Sequence, residues 1–193
     1  MLLKESELDP RVKRTRQLLQ DAFMELMQEK SFQSITVQDI ASLATVNRAT
    51  FYAHYEDKYD LLNQIIRDTF QRTLANCLAS DAEFSLENLK ILIVATCAIL
   101  AHLYRQQCTP TTLQSKPLIE KEVQRQIFHI ISGWLANLET ANDSVQPELT
   151  ASAISWAIFG AGLYWSQNNQ DTSEEEVAEQ VLALIMGGLE NHN

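Results

Sequence analysis

The chain has 193 residues, of which 46% are hydrophobic, with only five glycines and four prolines and a formal net charge of −10. That size holds one medium domain or a small one beside a larger one, and the composition is that of a globular, strongly helical protein. The acidity excludes a general nucleic-acid-coating protein, and three cysteines without C-x-x-C spacing exclude a disulfide framework and fit a reducing compartment.

The charge is unevenly distributed. Residues 10–58 carry seven Lys/Arg against six Asp/Glu, whereas residues 61–193 carry seven against fifteen. Only the N-terminal end is fit to face a polyanion, and the acidic remainder would repel one everywhere else. No N-terminal run combines the basic flank and apolar core of a signal peptide. The two strongest apolar stretches, 91–101 and 153–165, fall short of the ~20 residues a membrane span needs. A cytoplasmic location without a membrane partner is expected.

From Asp9-Pro10 the spacing predicts a helix to about Gln28, with apolar pairs Leu18/Leu19, Ala22/Phe23 and Leu26/Met27 one turn apart. Its first turns carry Arg11, Lys13, Arg14 and Arg16. Cations there oppose the helix dipole, so they call for an anion nearby. Ser31, Phe32 and Ile35 form a connector, with Phe32 expected beneath the following helices.

Thr36 then opens a short helix with Asp39 three residues on, the spacing at which side chains satisfy free backbone N–H groups. Val37, Ile40, Ala41 and Ala44 give it one narrow apolar stripe. After Thr45-Val46, Asn47 caps a second short helix. On that helix Phe51 and Tyr55 point to the core with Val46. Arg48, Ala49, Thr50, Tyr52 and Ala53 lie on the other side. Two helices so short and so tightly joined make sense as a helix-turn-helix, with the second free to enter a DNA major groove. Arg can bond guanine bidentately, Ala can touch a thymine methyl, and hydroxyls can take phosphate or base contacts. The bland alternative is a small amphipathic helix whose Arg48 and Tyr52 are merely solvated.

The run from Thr36 to Leu62, with Ile40, Ala41, Ala44, Val46, Phe51, Tyr55, Lys58 and Leu61 at fixed spacing, resembles the N-terminal signature of tetracycline-repressor-like (TetR) bacterial regulators. The resemblance implies that Thr36, Thr50, Tyr52, His54 and Lys58 mostly clamp phosphates, and that Gln38, Asn47, Arg48 and Ala49 sit where members tend to read bases. One departure is Thr45, where the family usually has a glycine. Gly adopts left-handed backbone angles without cost and Thr does not, so strain or a recast turn is expected there.

Beyond the motif, Lys58 to about Ser80 predicts one long helix. Ser85 caps a central helix to about Gln107, and a short helical piece is expected at 111–115 after Thr109-Pro110. Pro117 starts a further helix carrying Val123, Ile127, Trp134 and Leu138. Residues 142–147 read as polar loop, followed by helices at about 148–167 and 173–190, the latter opened by Ser173 and Glu176 in capping-box spacing. The expectation is an all-α protein of eight to nine helices: a DNA-binding head over 1–57 and an effector-binding and dimerisation body over 58–193.

The last two helices hold more apolar surface than one body can cover. A two-fold four-helix interface would bury it, with Gly160 and Gly162 allowing close approach. Cys77 and Cys97 lie on apolar faces and are expected to be inert, leaving Cys108 as the one candidate reactive thiol. No catalytic arrangement, metal site or cofactor motif is evident, and enzyme activity has no positive support. His102, Tyr104, Phe128 and Trp134 are candidate lining for a chiefly apolar effector pocket. The expected function is a dimeric, ligand-responsive regulator, a repressor released from palindromic double-stranded operator DNA by a small apolar effector. The alternative is a helical small-molecule-binding or thiol-redox-sensing protein without specific DNA binding.

Overall fold

The computed structural model describes residues 9–79, 82–105, 116–136, 146–168 and 171–190. Eight α-helices occur among them, with no strand. They are α1 (Pro10–Glu29), α2 (Val37–Leu43), α3 (Arg48–Tyr52), α4 (Lys58–Ala75), α5 (Leu86–Arg105), α6 (Lys116–Ala136), α7 (Pro147–Asn168) and α8 (Glu174–Glu190). A single 3-10 turn, Phe32–Ser34, lies between α1 and α2. The all-α expectation of a helix-turn-helix head followed by a helical body is met. The expected helical piece at 111–115, Cys108 and Leu138 lie outside the described residues.

The chain divides into two compact units at Ile65/Ile66, with residues 116–119 grouped with the first. In the first unit, local chemistry sets the helix ends. The Asp9 carboxylate accepts from the Arg11 N–H at 2.7 Å, and Pro10, which has no N–H to leave unsatisfied, occupies the first turn of α1. Thr36 and Asp39 form a full capping box: the Thr36 hydroxyl accepts from the Asp39 N–H at 3.1 Å, and the Asp39 carboxylate accepts from the Thr36 N–H at 2.8 Å. Asn47 caps α3 by accepting from the Ala49 N–H at 2.8 Å. A core of Leu19, Phe23, Phe32, Ile40, Phe51 and Leu61, each fully buried, holds these short helices together. Leu18, expected to share the inward face of α1, is exposed.

In the second unit α5 packs against both α7 and α8. Its buried Leu89, Leu92, Ile93 and Leu100 form the centre of the body. Gly162 faces this crossing: a Cβ placed there would stand 3.2 Å from Leu100 Cδ1 and 3.5 Å from Cys97 Sγ. Its lack of a side chain therefore serves the α5–α7 contact inside one chain, a correction to the expectation that it allows close approach of a second copy. Gly160 does point outward, into open space. Cys97 is buried as expected, and burial pushes its thiol up to about 12. Cys77 is exposed rather than core. No helix of the described residues is long and apolar enough to cross a membrane.

Candidate nucleic-acid interface

The joint between α2 and α3 decides what α3 presents. At the end of α2 the Thr45 N–H donates to the Ser42 carbonyl at 3.2 Å and the Val46 N–H donates to the Ala41 carbonyl at 2.9 Å. This paired closure is a Schellman motif, which needs a left-handed residue at its turn. Thr45 supplies it at φ 54°, the only non-glycine residue with positive φ among those described. The strain expected from the missing glycine is present, and the turn keeps its ordinary form.

That turn and the buried Phe51 and Tyr55 orient the five-residue α3. Arg48, Ala49, Tyr52 and Ala53 are exposed, and Thr50 is half-buried at the edge. The Arg48 guanidinium lies back along its own helix, donating to the Tyr52 hydroxyl at 3.0 Å with its carbon 5.4 Å from the ring centroid. Both side chains share one outer face. Asn47, expected to read bases, has its carbonyl oxygen engaged in the cap. Gln38 is exposed on α2 and donates to the Ser42 hydroxyl at 3.0 Å.

The residues expected at phosphates separate into two groups. Thr36 and Tyr52 are exposed, although the Thr36 hydroxyl also donates to Asp39 at 2.8 Å. His54 is half-buried, and burial, helped by the positive Arg16, lowers its pKa below the ordinary histidine value. It is therefore a neutral hydrogen-bonding group at pH 7 rather than a cation. Arg16 is half-buried, and its buried Nε has no hydrogen-bond partner, whereas Arg11, Lys13 and Arg14 are exposed. Asp39 is held below the usual carboxylate range by the Thr36 N–H and hydroxyl and by Lys30, which pairs with it at 3.1 Å.

Lys58 departs from its expected role. Its ammonium is turned inward and donates to the carbonyls of Phe32 at 2.8 Å, Gln33 at 3.0 Å and Ile35 at 2.8 Å. All three of its donors are occupied, which leaves none for a phosphate. Partial burial pulls its pKa below the ordinary lysine value, and Asp57 works the other way. It is flanked by the rings of Phe32, expected from the sequence only as packing beneath the helices, and of Tyr59. The available signal was a lysine in the first turn of a helix, where the dipole repels it unless acceptors are close.

The four effector candidates lie on two helices of the body. Trp134 is buried and meets Phe84 edge-on at 6.4 Å, Phe128 is half-buried and His102 is exposed. The Tyr104 hydroxyl bonds to the Glu120 carboxylate and accepts from Gln167 at 3.0 Å. Beside this cluster on α6 the buried Glu122 carboxylate accepts from Arg125 at 2.7 and 2.8 Å and from Gln126 at 2.6 Å. A shallow, open depression of about 500 Å³, lined by Thr172, Glu176, Glu179, Gln180 and Ala183, contains none of the four candidates. No group of three or more metal-ligating side chains occurs among the described residues.

Residues 19–65 match the model of the family described as bacterial regulatory proteins, tetR family. The head belongs to the TetR family. The chain is 36% identical over 195 residues to the HTH-type transcriptional regulator YxbF of Bacillus subtilis; the match takes in 94% of this chain and 47% of YxbF. It thus spans about half the length of that curated relative. Two solved structures share the fold. The fatty acid degradation regulator FadR of Bacillus halodurans aligns with a TM-score of 0.55 at 20% identity, covering 95% of this chain and 98% of its own. FadR of Thermus thermophilus, a TetR-family repressor solved with lauroyl-CoA, aligns with a TM-score of 0.51 at 21% identity, covering 89% and 93%.

Proposed function

We propose that this chain is a dimeric, ligand-responsive transcriptional regulator, a repressor whose head reads palindromic operator DNA and whose body binds a small apolar effector. The observation that carries the proposal is the outer face of α3. A five-residue helix is held by the fully buried Phe51 and a Schellman turn, and it displays Arg48, Ala49 and Tyr52 to solvent. A helix of that kind suits a major groove and has no packing reason to stay bare.

The body supports the dimer. Trp156, Tyr164 and Leu184 are 57%, 67% and 77% exposed, and Gly160 is open on the same face of α7 as Trp156 and Tyr164. Large apolar side chains left exposed on the last two helices suit a second copy, and a second copy supplies the second head. The effector is expected in the body beside at least one of Tyr104, Phe128 and Trp134, of which Tyr104, joined to Glu120 and Gln167, and Trp134, against Phe84, lie at opposite ends of α6, and an uncharged or aromatic molecule is favoured. To act, it must bind the non-DNA form better by about 1–3 kcal/mol.

Selection of duplexes from a random-sequence library by the full chain tests the DNA assignment. Enrichment of two half-sites about one helical turn apart is expected, with binding that weakens as salt rises. Arg48→Ala should reduce preference at one base pair by roughly 1–3 kcal/mol. A library that emerges unenriched, or an Arg48→Ala chain with wild-type preference, defeats it. For the dimer, Leu184→Glu together with Tyr164→Glu should give monomers in light scattering without loss of helicity, and the selected duplex should no longer bind. A double variant of unchanged mass would remove this face from the interface.

A further inference from the structure

Lys58 opens α4, the place where a helix least favours a cation, because its first N–H groups already present positive partial charge. Its surroundings resolve the conflict. The carbonyls of Phe32, Gln33 and Ile35 each accept from Nζ, and the rings of Phe32 and Tyr59 lie 4.8 and 5.8 Å from it. Phe32 is itself fully buried, set edge-on against Tyr59 at 4.9 Å and Phe23 at 6.2 Å. Three oxygens and two aromatic faces surround the ammonium, and the carbonyls belong to a segment outside any α-helix.

The position of those carbonyls gives the cage its consequence. Ile35 directly precedes Thr36, whose capping box with Asp39 starts α2. The end of α2 sets α3 through the Thr45 turn. A shift of the connector is therefore passed along a short chain of fixed joints to the exposed Arg48.

We propose that Lys58 is a positioning residue for DNA recognition, tying the first turn of α4 to the connector that seats α2 and α3, and is not a contact to the phosphate backbone. The inference rests on the DNA-reading function proposed above. The two candidate roles predict different salt behaviour. Losing a phosphate contact flattens the slope of log K against log salt by about 0.9 per contact, whereas losing a tether lowers affinity and leaves the slope alone.

The full chain, Lys58→Met and Lys58→Arg would be titrated with a duplex selected by the wild type, across a salt series. Amide hydrogen exchange of residues 32–36 would be followed without DNA. Lys58→Met should bind roughly tenfold or more weakly with the wild-type slope, since hydrogen bonds to a charged group are lost. Exchange at residues 32–36 should speed up. Lys58→Arg should rescue poorly, because a planar guanidinium cannot replace a compact three-donor ammonium. A flattened slope, unchanged exchange, or full rescue by Lys58→Arg would each overturn the proposal. If Lys58→Met does not fold, Lys58→Gln, which keeps two donors on a shorter stem, goes through the same measurements. If the wild type selects no duplex, the DNA-reading function falls, and exchange without DNA still decides whether the tether exists.

Discussion

The turn after α2 holds Thr45 at φ 54°, where glycine would sit without strain, whereas α7 holds Gly162 in ordinary helical geometry, where alanine is the better helix former. The two regions use side chains in opposite senses. In the head the backbone demands a special conformation, and the surrounding hydrogen bonds are strong enough to impose it on threonine. In the body the backbone demands nothing, and it is the close approach of Leu100, 3.2 Å from where a Cβ would stand, with Cys97 and Thr96 in contact behind it, that crowds a side chain there. The head is thus held by local bonding around a few buried rings, and the body by close packing of long helices.

Substitutions can separate these two kinds of constraint. The largest effect is expected in the head: Phe51→Ala should cost about 3–5 kcal/mol, because a fully buried ring leaves a cavity under a helix of only five residues. Urea unfolding followed by circular dichroism measures it, and a loss below about 1 kcal/mol would mean that α3 is not held by its core.

Overpacking comes next. Gly162→Leu should destabilise the body by about 1–3 kcal/mol, since its Cβ alone would meet Leu100 at 3.2 Å. Gly133→Ala, in α6 with nothing within 4 Å of the new atom, should instead stabilise by roughly 0.5–1 kcal/mol. Opposite signs from two helical glycines would locate the effect in packing rather than in backbone entropy; equal signs would contradict the crossing described for α5 and α7.

A smaller gain is expected at the turn. Thr45→Gly removes a left-handed strain and adds unfolded-state entropy, for a net stabilisation of about 0.5 kcal/mol. Thermal unfolding of the pair reads this directly, and a destabilised variant would show that Thr45 contributes a contact that outweighs its strain.

The smallest effect is a pH dependence at His54. The unfolded histidine takes up its proton near pH 6.5, and the folded one only at lower pH because burial and then Arg16 resist the charge. In that window the unfolded chain binds more protons, so stability is full above about pH 6.5 and declines as pH falls through the lowered value. The urea midpoint of wild type should therefore drop more between pH 7 and pH 5 than that of His54→Gln. Identical drops would remove His54 from the acid response.

What the sequence by itself determined were the features closed within one helical turn. The caps at Asp9, Thr36 with Asp39, Asn47, and Ser173 with Glu176 all form where residue type and spacing place them, because each joins groups two or three residues apart. The outward face of α3 was legible for the same reason, since Phe51 and Tyr55 share one side of a short helix. The sorting of α7 was not. That helix is apolar around its whole circumference, so nothing in its pattern distinguishes inward Ile154, Ile158 and Gly162 from outward Trp156, Gly160 and Tyr164; only packing against α5 and α8 breaks the tie. Nor could Lys58 be assigned from its neighbours in the chain. The carbonyls that hold its charge lie 23 to 26 residues earlier, and a hydrogen bond is chosen by distance in space, which only the folded head defines.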